Sequence, residues 1–375
     1  MFLDAPELRH PAEIAPIAAE PRMTRATVAS VRMVLARRPS GHDITECFRR
    51  ERTPLPALQS GQILLRTHLL SIDICAHARM QADAPADDRL MPGQVMPCAT
   101  VSQVEQSRHP AFRTGDHVLS YSGWQTREVV DGHRIKRKLY PAVAPLGSAL
   151  GVYGLHGYIA WLAVREACRP RAGQTAVVAA AAGPIGATAC QLLQDRGVRV
   201  VAVTRGASKC AHVRAHFAPA AVLDIEDPGF AAALAGACPD GIDILIEHAD
   251  GRCLDAALPL FNEGARLPLC RTMDSHCRDD HRGDRLPAFL TAVMERRLEV
   301  RPFTDRALAG LRAKHLADPE FISEMGVLLR SGRLRWAEDV MDGLDALPHA
   351  LARLVRRENV GKLLVRLDTT DTTHD

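Results

Sequence analysis

The sequence has no CxxC pair among its ten cysteines, no internal repeat, and no large excess of charge of either sign. Each absence narrows what the chain can be. Scattered cysteines with no secretory leader ahead of them predict reduced thiols in a cytoplasmic protein, not a disulfide framework. A formal charge of +3 over 375 residues is too small to argue for a nucleic-acid partner. The basic cluster Arg134, Lys136, Arg137 and Lys138 reads as a solvated loop. The uncharged stretch from Thr175 to Leu193 is interrupted by Gly183-Pro184-Ile185-Gly186, so it cannot form one membrane-spanning helix, and no membrane partner is expected. What remains is ordinary for a globular protein: 47% hydrophobic and 24% charged residues, in a chain long enough for two domains with buried cores.

The most informative stretch runs from Gln174 to Lys209. An apolar strand (Ala176 to Ala180) meets a tight turn with Gly183 and Gly186 at GxxG spacing. A helix follows through Cys190, Leu192 and Leu193, ends at Gly197, and gives way to a second apolar strand, Val198 to Val203. Strand, glycine turn, helix and strand form the frame of a dinucleotide-binding unit. The glycines let the backbone approach a pyrophosphate, and the helix start offers unpaired N–H groups and a positive dipole end. GxxG alone is weak, since Ala-rich turns also open ordinary helices; the surrounding strands favour the cofactor reading. After the second strand, an NAD site wants an acid for the ribose hydroxyls. Here Thr204-Arg205-Gly206-Ala207-Ser208-Lys209 carries two cations and no acid, which fits a 2′-phosphate and so NADP(H).

Along the chain, residues 1–24 read as a flexible Pro- and Ala-rich extension and 368–375 as a frayed polar tail. Short apolar runs from about 25 to 150 predict a small barrel or sandwich of strands. Strands alternating with helices over 151–330 predict a doubly wound parallel sheet. Residues 331–367 end in an apolar strand, Val360 to Leu367, expected to return to the first domain. That arrangement places the active site in the cleft between the domains. Pro268 within the run Ala265 to Cys270 marks that strand as a sheet edge, because proline is tolerated mainly there.

With these pieces in order, the chain resembles the medium-chain dehydrogenase/reductase superfamily, and within it the zinc-free branch of prostaglandin and leukotriene reductases, alkenal double-bond reductases and curcumin-type reductases. The likeness spans about Ala26 to Leu367. It is carried by Leu70-Ser71-Ile72-Asp73 with Arg79-Met80, Ser107-Arg108-His109-Pro110, Gly115-Asp116, Gly123-Trp124-Gln125, Ala149-Leu150-Gly151-Val152, the turn Ala180 to Gly186, Cys238 to Asp243, Glu338-Asp339-Val340, and Asn359-Val360-Gly361-Lys362. It implies an α/β fold with a GroES-like β-rich barrel domain and an inserted Rossmann domain. It also implies NADPH-dependent reduction of an activated C=C bond in a small-molecule substrate. Hydride reaches the β-carbon, the developing enolate oxygen is stabilised, and a proton reaches the α-carbon. By position, Gly183, Pro184, Ile185 and Gly186 line the pyrophosphate, Thr204 and Lys209 lie at the 2′-phosphate corner, and Asn359 lies near the cofactor. Arg205 is a second phosphate partner by charge. The family also implies a homodimer. Where zinc-dependent relatives have Gly-His-Glu this chain has Gly93-Gln94-Val95, and it lacks their four-cysteine loop, so no metal is expected.

The departures from the family pattern cluster around the expected pocket. Cys75 stands where a substrate-facing tyrosine is usual, and His276 stands where a second tyrosine is usual. Met-Pro-Gly-Leu-Thr-Ala-Tyr becomes Leu155-His156-Gly157-Tyr158-Ile159-Ala160-Trp161, Glu-Asn-Val-Gly-Gly becomes Glu247 to Gly251, and Gly-Phe-Ile-Val becomes Pro302 to Asp305. A phosphate-gripping tyrosine is replaced by Ile225. His276 is a candidate proton donor, since imidazole titrates near neutral pH; it is equally a histidine of a surface loop. Cys75 is a candidate nucleophile, against which stands its reading as a small buried apolar residue. Two functional readings follow: an NADPH-dependent reductase with a redesigned pocket, or a diverged member that keeps the fold and acts as a non-redox isomerase, cyclase or binding scaffold.

Overall fold

The computed structural model describes residues 28–40, 43–247, 251–270, 286–303, 318–368 and 371. The first strands are β1 (Ala29–Leu35), β2 (Phe48–Pro54), β3 (Gln62–Ser71), β4 (Thr100–Ser107), β5 (His117–Ser120), β6 (Arg127–Asp131) and β7 (Arg137–Leu139). β3 and β4 bury runs of consecutive residues, residues 63–65 and 100–102, as strands enclosed within a core do. β1 and β2 form an antiparallel pair. β3 is the hub of a larger sheet, antiparallel to β4 and β6. At its far end β3 also pairs with the C-terminal strand β15 (Lys362–Arg366), which runs parallel to β14 (Glu338–Asp342). The sequence order is thus closed: the last strand of the chain lies beside the third. Trp124 and Met96 are among the side chains buried against this sheet.

Between β7 and β14 a six-stranded sheet is built from β8 (Thr175–Val178), β9 (Arg199–Thr204), β10 (Ala221–Asp224), β11 (Ile242–Ile246), β12 (Phe261–Cys270) and β13 (Glu299–Phe303). All its pairings are parallel, in the spatial order β10-β9-β8-β11-β12-β13. Numbered from β8, this is the 3-2-1-4-5-6 order of a dinucleotide-binding fold, with the switch point between β8 and β11. β8 is buried along its whole length, as a central parallel strand covered on both faces must be. One face packs against Trp161, Phe321 and Met325 and the other against Phe230, Leu234 and Phe261.

The edge assignment made from Pro268 is corrected: β13 is the edge, and β12 is the strand inside it. The ladder explains why proline is tolerated there. Pairing of β12 to β11 shifts register between Ile242 and Ile244 and resumes only as an isolated bridge from Leu269 to Glu247. Pro268 therefore falls where that ladder is interrupted, while it keeps its register with Arg301 of β13.

Candidate functional site

A cleft of about 220 Å³ opens between the two sheets, at the end of β8 and β9. Its floor is the glycine turn. Ala180 adopts a positive φ of 47°, uncommon for a residue with a side chain, and its carbonyl accepts from Gly183 N–H at 2.8 Å. Helix α3 (residues Pro184–Asp195) starts directly after, with Pro184 at its first position and no side-chain cap. Proline has no N–H to satisfy, and the N–H groups of Ile185 and Gly186 lie too early in the helix for an intrahelical acceptor. They remain for an anion. A Cβ on Gly186 would sit 2.5 Å from the Ala180 carbonyl oxygen and 2.9 Å from the Ala181 Cα. The Gly186→Ala variant should therefore lose about 1–3 kcal/mol, because only backbone can give way. Urea unfolding checks this; an unchanged midpoint would contradict the close approach.

Gly183, Pro184 and Ile185 line the cleft, as do Thr204, Arg205, Lys209 and Asn359. Gly186 does not line it and serves the turn behind. Helix α4 (residues Ala207–Phe217) carries Lys209 at the basic corner, where its Nζ donates to the Arg357 carbonyl at 2.6 Å. Burial, then the nearby charges of Arg205 and Arg357, pull the Lys209 ammonium below its ordinary value. Arg205 is ion-paired to Glu226. Arg357 itself lines the cleft and has a positive φ of 60°. It is a third cation that the sequence reading missed; it lies 148 residues beyond Lys209 and is brought in by the segment leading to β15. Three cations crowded at one corner favour a multiply charged anion. Ile225, also on this wall, is buried.

The opposite wall holds a constellation that the sequence reading did not assemble. Asp73 ends the segment after β3, Lys362 opens β15, and His156 lies on helix α2 (residues Leu155–Leu162). Lys362 Nζ donates to Asp73 Oδ1 at 2.8 Å and to the Ile72 carbonyl at 2.6 Å. His156 Nε2 lies 3.0 Å from the same Oδ1, and Ser71 Oγ donates to Oδ2 at 2.5 Å. Burial pushes the Asp73 carboxyl up, but the charges of Lys362 and His156 and their hydrogen bonds outweigh it and hold the group well below the usual carboxylate range. All three side chains line the cleft.

Cys75 sits half-buried on helix α1 (residues Ile74–Met80) and is not among the residues that line the cleft. His276 lies outside the described residues. Of the altered α2 segment, Tyr158 and Trp161 pack with Phe321 in the core, with ring centroids 5.2 and 5.8 Å from it, while His156 reaches the cleft. Tyr158 O–H donates to Asp318 at 3.3 Å, and burial followed by the Asp318 charge pushes its phenol up to about 12. Those two aromatic departures serve packing, not the pocket.

Parallel strands in this order, a glycine turn at the switch point and a cleft walled by a second, β-rich sheet define a two-domain oxidoreductase of the dinucleotide-binding class. Residues 31–137 match the model of the N-terminal domain of oxidoreductase. The chain is 36% identical over 342 residues to the NADPH-dependent curcumin reductase of Escherichia coli (strain K12), a match spanning 91% of this chain and 97% of that protein. It is 27% identical over 330 residues to prostaglandin reductase 1 of Bos taurus, spanning 87% of this chain and 95% of the relative. The solved structure of CurA in complex with NADPH from Vibrio vulnificus superposes with a TM-score of 0.82 at 32% identity, covering 90% of this chain and 99% of that one. The chain belongs to the medium-chain dehydrogenase/reductase superfamily, in the zinc-free branch of curcumin and prostaglandin reductases.

Proposed function

We propose that the chain is an NADPH-dependent reductase that saturates the activated C=C bond of an α,β-unsaturated carbonyl small molecule. The observation that carries this reading is the cleft itself, with three cations at one end, the glycine turn along its floor and an Asp–His–Lys constellation at the other end. The residues fit the cofactor. Helix-start N–H groups suit the pyrophosphate, and Lys209, Arg205 and Arg357 suit the 2′-phosphate. Asn359, whose side-chain amide donates to the Gly361 carbonyl at 2.9 Å, belongs near the same ligand.

When bound, NADPH supplies a hydride to an electrophilic carbon. The chain's part is to bind, orient and exclude water. The apolar wall of Ile72, Ile74 and Leu363 shelters the reacting end, where a low dielectric strengthens every charge that develops. Incubating the purified chain with NADPH and a panel of enones, enals and enoyl thioesters tests the reading. Saturated products with one NADPH consumed per C=C bond are expected; NADPH binding with no product from any of them would count against it.

We also propose a homodimer formed through the β13 edge. The helix Leu286–Glu295 precedes that strand and exposes Leu286, Leu290 and Met294 at four-residue spacing, with 59, 49 and 80% of each accessible. Such a stripe on one helix face supports burial against a second copy. Light scattering should give a dimer that Leu290→Glu with Met294→Glu converts to monomer; a monomeric unsubstituted chain would overturn the proposal. Cys47, Cys98, Cys190, Cys210 and Cys238 are buried free thiols, which supports a cytoplasmic setting.

A further inference from the structure

We infer that His156 is the proton-donating residue of this cleft: its ring hydrogen-bonds the substrate's carbonyl oxygen and delivers a proton as negative charge develops there. The inference rests on the reductase reading and names the group that completes it. The geometry starts with Lys362, whose side chain is only 3% exposed and whose ammonium is committed to the Ile72 carbonyl and Asp73 Oδ1. Two of its three N–H groups thus anchor the Ile72 backbone and Asp73. Asp73 is in turn fixed by Lys362 on one oxygen and by Ser71 on the other. A carboxylate so held is an acceptor, so the His156 Nε2 that lies 3.0 Å from it carries the hydrogen. That leaves Nδ1 as the nitrogen with no protein partner among the described residues, able to donate to a ligand.

His156 Nδ1 is screened from water and has no hydrogen-bond partner among the described residues, although its ring belongs to the wall of the cleft. An orphaned buried nitrogen is unfavourable unless something satisfies it, and a ligand oxygen against this wall does so. An imidazole oriented by a buried carboxylate through one nitrogen, with the other turned to the reacting group, is the recurrent arrangement for proton transfer at neutral pH. Overall, the C=C bond, NADPH and one proton become CH–CH and NADP⁺. In His156's share, the Nδ1–H bond breaks and an O–H bond forms on the substrate as its π electrons move onto that oxygen. The resulting enol tautomerises, its O–H proton leaving as water delivers one to the α-carbon. The neutral ring then regains its proton from water.

The test reads binding as well as turnover. A nitrophenolate placed in the cofactor-free protein mimics the developing enolate oxygen, and its absorption reports its affinity. The unsubstituted protein should bind it at least ~10-fold more tightly than His156→Gln, with NADPH affinity by calorimetry equal in the two. Enone turnover in His156→Gln should fall on the order of 10²-fold in kcat, the usual worth of a positioned acid. Asp73→Asn should also lose probe affinity, and Asp73→Glu, which keeps the carboxylate, should recover part of it. Equal probe affinity and equal kcat in His156→Gln would overturn the inference. Should no enone be turned over while the probe still depends on His156, the reductase reading fails and the proton-transfer step falls with it, while the contact of His156 with a ligand oxygen stands. A His156→Asn variant, read in the same way, guards against a fold defect peculiar to glutamine.

Discussion

Lys209→Ala is expected to weaken NADPH binding by roughly 10- to 100-fold while changing NADH affinity by less than about twofold. The factor follows from losing one charge-assisted hydrogen bond to a phosphate, worth about 1.5–3 kcal/mol. Lys209 is the cation for this test because Arg205 already has Glu226 as a partner. Its position also predicts a pH signature. Burial, then Arg205 and Arg357, lower the Lys209 ammonium, and a phosphate beside it would raise it again. At pH around and above its depressed value, Lys209 therefore takes up a proton when NADPH binds, and affinity falls as pH rises through that value. Calorimetry in buffers of different ionisation enthalpy measures that uptake directly. Equal losses for NADPH and NADH would remove Lys209 from the phosphate site.

The second large effect concerns the opposite wall. Lys362→Met should destabilise the protein by about 3–5 kcal/mol, because it leaves Asp73 largely buried without its cation. The cost should depend on pH, with a definite sign. The folded-state value of Asp73 is depressed, so its contribution is complete above the unfolded carboxylate value of about 3.9 and is lost as pH falls toward the folded value. The gap between the two proteins in urea should be widest near neutrality and should narrow below about pH 4. A gap independent of pH would mean that the lysine acts by packing alone.

Much of this architecture was legible in the sequence because it is written locally. β8, the Gly183–Gly186 turn and α3 follow one another within about twenty residues, and each element carries its own signature in periodicity, glycine or proline. The basic corner was legible for the same reason: Arg205 and Lys209 follow the end of β9 directly. Arg357, Asp73, His156 and Lys362 were not assembled, because nothing local joins them. They meet only once β15 pairs with β3, in a register that sets Leu364 beside Ser71. A signal was present in part. A lysine opening the apolar strand Lys362 to Val365 calls for a buried counter-charge, and Asp73 at the end of another apolar run is an acid in search of one. Pro268 misled because the edge rule assumes an unbroken ladder, and the β11–β12 ladder is broken. Cys75 shares a motif position with a substrate-facing residue, but motif position does not tell which side of α1 faces the cleft.

The most direct test of the central claim follows one hydrogen atom. The purified chain is incubated with NADPH deuterated at the transferable C4 position and a simple enone, and the product is located by mass and NMR. The account predicts a saturated ketone with deuterium on the β-carbon and none on the carbonyl carbon. Deuterium on the carbonyl carbon, in an allylic alcohol, would contradict it.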